Sequence, residues 1–266
     1  MFDVNHAELT CDRTGTRHRV SISLPARYAT LTASGDSTIP LIVCLDAPWT
    51  FGTIVDATRV MSMASEAPEA IVVGLGFVTD SMSEYSRQRA RWFTPTQWVP
   101  PPATGVKGVA VEECGRALEL AELIREQLLP PVAADHPIGE RWLVGHSFSA
   151  LAGLTFLFDD PTLFDRWLLA SPSIWWDDRA ILAIEQKYAA SHDDLAADLF
   201  ISAGTDEQLA PYDMAANAKL LADRLRTCEY PSLRVASVEL DGATHASTIG
   251  AAVGAGLRSL HGMAPA

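Results

Sequence analysis

The stretch Glu140–Phe156, ERWLVGHSFSALAGLTF, decides the fold. Trp142, Leu143 and Val144 make a short apolar run of strand character. Gly145-His146-Ser147-Phe148-Ser149 is a compact turn, and the small and apolar residues after it predict a helix. A serine between strand and helix has the geometry of a nucleophile elbow, a turn so sharp that the residues two before and two after it must be small. Gly145 fills the first of these positions. Ser149 fills the second, where the G-x-S-x-G pattern has glycine; its side chain is small enough to fit, at the expense of specificity. Alone, these five residues read equally well as a strand–helix junction with a serine N-cap. The surrounding chain has to discriminate.

Outward from this turn, apolar β runs alternate with helical segments. Toward the N-terminus, Pro40–Leu45 (PLIVCL) has the composition of a strand buried on both faces, with a helix over Phe51–Ala64 and a second buried strand, Ala70–Val73, ending at Gly74. His18–Leu24 alternates Val20, Ile22 and Leu24 with polar residues, the pattern of a half-buried strand. Ala7–Asp12 is its hairpin partner across Arg13-Thr14-Gly15, so the sheet starts antiparallel. Thr32–Thr38 reads as loop. Toward the C-terminus, strands are expected at Trp167–Ala170, Leu199–Ala203 and Leu233–Leu240, and helices at Met214–Arg226 and Thr248–Leu260. Val109–Leu129 has helical periodicity and should stop at Pro130-Pro131. Thr79–Gly105, with three arginines, two tryptophans and the run Pro100-Pro101-Pro102, reads as a long functional loop. This alternation predicts one α/β domain over residues 1–266, with a mostly parallel central sheet, antiparallel N-terminal strands and helices on both faces.

Composition narrows the function. The chain has 266 residues, 48% apolar and 20% charged, as expected of a globular protein. Its net charge of −13 and only three lysines (Lys107, Lys187, Lys219) argue against a nucleic-acid surface. No apolar run approaches the roughly 20 residues of a membrane helix, and no secretory signal pattern opens the sequence. Cys11, Cys44, Cys114 and Cys228 lack metal-ligand spacing and read as reduced thiols. The expectation is a soluble, cytoplasmic protein that needs neither metal nor organic cofactor; nothing in the sequence speaks to its oligomeric state.

In parallel sheets functional residues gather past the carboxyl ends of strands. A serine hydroxyl becomes nucleophilic when a base accepts its proton and a carboxylate fixes that base's tautomer. In the α/β-hydrolase order the acid follows the serine and the histidine comes last. His245, in Asp241-Gly242-Ala243-Thr244-His245, directly follows the strand at Leu233–Leu240 and is the candidate base. His6, His18, His136, His192 and His261 lie elsewhere, and His146 should point away from the serine. Past Leu199–Ala203, Glu207 is the preferred acid, with Asp206 an alternative and Asp241 a weaker one. Two backbone donors must hold the oxyanion. Phe148 supplies one; the other comes from Asp46-Ala47-Pro48-Trp49, and since Pro48 has no N–H it is Ala47 or Trp49.

With these residues in place, the chain resembles the esterase D-like branch of α/β-hydrolases, which includes trilactone siderophore esterases. The resemblance rests on PLIVCLDAPWTF (40–51), PEAIVVGLGF (68–77), RARWFTPT (89–96), LIREQLLP (123–130), the elbow, ASPSIWW (170–176), LFISAGTDE (199–207) and DGATHAS (241–247). It implies a serine esterase acting on a small-molecule ester, with Ser147 as nucleophile, His245 as base and Glu207 as acid, although some members use a Ser–His dyad. Three positions depart from the family pattern: Ser149 at the elbow glycine, Ala47-Pro48 in the L-D-G loop, and Trp92 in place of an aspartate. Arg89 and Arg91 are candidates to grip an anionic or catecholate substrate. Among the tryptophans at strand-end loops, Trp92 and Trp176 are candidates to line an aromatic pocket. The same triad could serve acyl transfer or thioester hydrolysis, and a non-catalytic binding protein on this fold is the rival of another class.

Overall fold

A computed structural model of the chain describes residues 4–33, 35, 37–100, 108–209 and 212–262. Its strands are β1 (Val4–Thr10), β2 (Arg17–Ser23), β3 (Ile39–Leu45), β4 (Ile71–Phe77), β5 (Ile138–His146), β6 (Arg166–Ala170), β7 (Ala197–Gly204), β8 (Gln208–Leu209), β9 (Tyr212–Asp213) and β10 (Leu233–Leu240). β8 and β9 pair only with each other. The other eight form one sheet in the order β1-β2-β4-β3-β5-β6-β7-β10. β2 is antiparallel to β1 and β4, and every pair from β4 to β10 is parallel.

The helices are α1 (Tyr28–Thr32), α2 (Ala47–Met63), α3 (Met82–Trp92), α4 (Ala117–Leu123), α5 (Leu129–Asp135), α6 (Phe148–Asp159), α7 (Trp176–Ala189), α8 (Met214–Thr227) and α9 (Thr248–His261). Successive strand residues point to opposite faces, and the central strands are apolar at both. Ile42, Cys44, Val144, Leu168 and Phe200 pack with Ile54 and Val55 of α2 and Val253 and Leu257 of α9. Leu41, Val43, Leu143, Leu169 and Ile201 face the other helices. This is the expected α/β-hydrolase-like sandwich. Among the described residues no helix is long and apolar enough to cross a membrane.

Several expected boundaries shift. β4 continues through Gly74 to Phe77, and its glycines let α2 pack closely: a Cβ on Gly74 would lie 2.6 Å from the Phe51 ring, and one on Gly76 3.0 Å from Pro48. α2 correspondingly begins at Ala47, with Pro48 in its first turn, where proline's missing N–H costs nothing. The expected long loop contains α3. Ser81 caps it by accepting from Glu84 N–H, Glu84 lies in its first turn, and Arg89 and Arg91 lie in its last, complementing the helix dipole. Its buried side chains, Tyr85, Ala90 and Trp92, are too few to give a strong apolar stripe, so the segment passed for loop. Pro101, Pro102 and Gly105 of that segment lie outside the described residues. The helix expected to stop at Pro130-Pro131 instead starts at Ala117 and runs to Asp135, after a π turn over Ile124–Leu128 in which Leu129 N–H reaches Ile124 O. That widened turn puts the prolines at the start of a fresh α segment, where they are tolerated.

Candidate active site

β5 delivers Ser147 at the middle of the sheet's carboxyl edge. The residue is held at φ 61°, ψ −118°, a conformation costing about 1–3 kcal/mol for a side-chain-bearing residue. The surroundings enforce it. Ser147 N–H donates to Ala170 O (3.0 Å) and its carbonyl accepts from Ser173 N–H (3.2 Å). A Cβ on Gly145 would lie 2.6 Å from the Ser149 carbonyl, so glycine is required there. Ser149 needs no such exemption. Its hydroxyl accepts from His146 N–H (2.9 Å) and donates to His146 O (2.8 Å), bridging the turn from within.

The structure brings Ser147, His245 and Glu207 together. β7 and β10 end in register, Gly204 opposite Leu240, so the loops bearing Glu207 and His245 leave the sheet side by side. Gly204 allows their contact: a Cβ there would lie 2.0 Å from Ala243 O. His245 Nε2 is 3.0 Å from Ser147 Oγ and His245 Nδ1 is 2.7 Å from Glu207 Oε2. A carboxylate can only accept, so Nδ1 carries the proton and Nε2 presents its lone pair to the serine. Glu207 Oε1 takes Gly204 N–H (2.6 Å), the Thr248 hydroxyl (2.7 Å) and the Ser171 hydroxyl. Burial pushes the carboxyl up, but these donors together with His245 outweigh it and hold the pKa at about 2. Asp206 and Asp241 are exposed to solvent.

Two further hydroxyls come from ASPSIWW, a segment in which the sequence assigns a role to Trp176 but none to the serines. Ser171 donates to Glu207, and Ser173 Oγ lies 3.3 Å from Ser147 Oγ. Their position just past β6, between the strands bearing nucleophile and acid, was the available signal. His146 departs from expectation. It does not point away from the site: its ring packs on that of His245 at 4.8 Å between centroids. Burial, then the neighbouring charges of His245 and Arg89, lower its pKa to about 3, so this second imidazole is a neutral wall for the first.

Phe148 and Ala47 are each the first residue of a helix, α6 and α2, so neither N–H has an intrahelical acceptor. Their helices start from neighbouring strands, β5 and β3. Trp49 N–H is committed to Asp46 O at 2.9 Å. The geometry thus favours Ala47 over Trp49 as the second donor.

The residues expected to bind substrate separate. Arg89 Nε is 2.7 Å from Asp46 Oδ2, and its guanidinium lies over the Trp49 and Phe148 rings (4.7 and 5.4 Å), beside the site. Arg91 pairs with Glu84 and Glu113 instead; two residues apart on a helix, the arginines cannot share a face. Trp92 is in the core, 1% exposed, its ring edge-on to His18 and its Nε1 on Gln88, so it cannot contact a ligand at the surface. Trp176 is also fully buried. It donates to Thr96 and packs edge-on behind Phe148 at 5.4 Å, supporting the wall without facing the opening. Trp175, half-buried and stacked on Tyr212 at 4.1 Å, is the outer aromatic on that side, as Trp49 is on the other. Among the described residues, no group of three or more His, Cys, Asp or Glu could hold a metal ion.

Comparison with known proteins agrees with this architecture. Residues 11–237 match the family model described as "Putative esterase". The ferri-bacillibactin esterase BesA of Bacillus subtilis is 30% identical over 231 residues, covering 84% of this chain and 79% of that protein. The siderophore triacetylfusarinine C esterase of Aspergillus fumigatus is 28% identical over 205 residues, covering 74% of this chain and 66% of that one. Among solved structures, the siderophore hydrolase EstA from Aspergillus nidulans superposes with a TM-score of 0.81 at 25% identity, over 98% of this chain and 94% of that one. The family match over most of the chain, on this sheet and with these neighbours, makes the protein a member of the "Putative esterase" family of α/β-hydrolase-fold ester hydrolases.

Proposed function

We propose that the protein hydrolyses a carboxylic ester through Ser147, His245 and Glu207, and that its substrate is a siderophore-type ester. The observation that carries this reading is the unbroken chain from Ser147 Oγ to His245 Nε2 (3.0 Å) and from His245 Nδ1 to Glu207 Oε2 (2.7 Å), assembled from three strand ends. His245 Nε2 takes the hydroxyl proton as Ser147 Oγ attacks the ester carbonyl. Glu207 stabilises the imidazolium, and the N–H groups of Phe148 and Ala47 hold the oxyanion. The same proton passes to the departing alkoxide. Water, deprotonated by His245, then attacks the acyl-enzyme and frees the acid and Ser147.

The substrate class is supported by the names of the relatives, which act on ferri-bacillibactin and triacetylfusarinine C, and by the aromatics on both sides of the serine. We read residues 1–266 as one domain, because a single sheet carries all three site loops. We assign it to the cytoplasm, where its four free cysteines would stay reduced. The test is fluorophosphonate labelling together with hydrolysis of ferric and iron-free trilactones beside p-nitrophenyl esters of rising chain length. Loss of labelling and turnover in Ser147→Ala is expected. Equal labelling of that variant overturns the mechanism, and activity confined to short p-nitrophenyl esters overturns the siderophore substrate.

A further inference from the structure

Asp46 occupies the N-cap of α2, where an aspartate ordinarily accepts an amide N–H of the first turn. It makes no such bond. Its backbone is left-handed, φ 62° and ψ 38°, an unfavourable conformation for a residue with a Cβ. Its carboxylate turns to Arg89, Nε to Oδ2 at 2.7 Å, with the two side chains 15% and 2% exposed. The same guanidinium lies 4.7 Å from the Trp49 ring and 5.4 Å from the Phe148 ring. One cation from α3 therefore touches the turn that ends in Ala47 N–H and the residue that supplies the other amide.

We infer that Arg89 is a positioning residue: its ion pair with Asp46 and its seat between Trp49 and Phe148 lock the two oxyanion donors at their mutual spacing. The inference rests on the ester-hydrolase mechanism above and goes beyond the expectation that Arg89 grips substrate. With Arg89 gone, Asp46 is left with the Tyr85 and Ser149 hydroxyls alone and can turn toward an ordinary N-cap. The Ala47 amide then tilts, and the carboxylate competes with the oxyanion for the helix amides.

The test compares Arg89→Gln, Arg89→Lys, Asp46→Asn and the double variant Asp46→Asn/Arg89→Gln on two esters, neutral p-nitrophenyl butyrate and anionic mono-p-nitrophenyl glutarate. Rates are normalised to active sites counted by the p-nitrophenol burst, so that misfolded protein does not enter. Arg89→Gln is expected to lower kcat about 10- to 100-fold on both esters, short of the 10²–10³-fold loss of a whole donor, with KM within about 3-fold. Arg89→Lys should recover part of kcat, and a trifluoromethyl ketone, whose hydroxyl adduct mimics the oxyanion, should lose affinity in parallel. The double variant should be no slower than Arg89→Gln, since the freed carboxylate is then neutral. A raised KM for the anionic ester alone, with kcat on the neutral ester unchanged, overturns the inference in favour of a substrate clamp. Losses that simply multiply in the double variant also overturn it. Should Ser147→Ala keep full turnover, the hydrolase mechanism itself fails; a dead Ser147→Ala beside a fully active Arg89→Gln removes only the brace.

Discussion

Replacing Glu207 by Gln probes the acid without emptying its site. The carboxylate sits among four donors: His245 Nδ1–H on Oε2, and Gly204 N–H, Thr248 O–H and Ser171 O–H on Oε1. A carboxamide has one acceptor oxygen and one NH2 donor, so it cannot satisfy both sides. If its oxygen faces His245, the NH2 confronts Gly204 N–H, a donor that cannot rotate, at a cost of about 1–3 kcal/mol for a buried unpaired group. If the NH2 faces His245, the imidazole must carry its proton on Nε2 and can no longer take one from Ser147. Either way the charge opposite the imidazolium is lost. The expected result is a fall in kcat of about 10²- to 10⁴-fold, equivalent to about 3–5 kcal/mol of barrier, with KM for a p-nitrophenyl ester changed little. Steady-state kinetics normalised to burst amplitude would measure it. A variant keeping more than half of wild-type kcat would remove Glu207 from the mechanism and show that Ser147 and His245 work as a dyad.

Three other substitutions test how the frame holds the site. Gly204→Ala places a methyl 2.0 Å from Ala243 O, so the His245 loop must move; kcat should fall more than about tenfold, and an unchanged rate would show that the loop yields freely. Ser149→Gly should cost about 1–2 kcal/mol by denaturant titration, from the orphaned His146 N–H and the helix glycine. A variant as stable as the wild type would make the departure from G-x-S-x-G neutral. His18, fully buried with neither ring nitrogen bonded, has its pKa lowered to about 4 by burial. The unfolded chain therefore binds the proton more readily, and this site's contribution is full above about pH 6.5 and lost as pH falls toward 4, by about 3 kcal/mol. His18→Leu should remove that share of the fall across the window, leaving the part that buried His146, lowered to about 3, contributes below about pH 6.5. Glu207, held at about 2, loses its own contribution only between about pH 4.5 and 2, so the two are separable; an equally steep curve for His18→Leu would remove His18 as the cause.

The sheet and the candidate residues at its carboxyl edge are already written in the amino-acid order. Pro40–Leu45 is apolar at every position, and Leu199–Ala203 at all but Ser202, because both sides of a parallel sheet are covered, and that composition is legible without coordinates. The candidates Ser147, His245 and the acidic pair Asp206-Glu207 are legible from position: each lies within five residues of the end of a strand, β5, β10 or β7. What depended on partners distant in the chain was not. α3 hides in a polar segment because its cap, its Glu84 contacts and its few buried anchors give little periodicity. Trp92 reads as a pocket residue from its polar surroundings in sequence, but His18 of β2 packs on it and buries it. What favours Glu207 over Asp206 is tertiary, Gly204 N–H, Ser171 and Thr248 converging on one oxygen, and what favours Ala47 over Trp49 is the Asp46 carbonyl that takes the Trp49 amide. The elbow itself divides in this way. Gly145 is required by the turn's own backbone, which local sequence encodes. The partners around Ser147 (His245 and Ser173 at its hydroxyl, Ala170 at its amide) come from positions 23 to 98 residues away, and only tertiary packing brings them there.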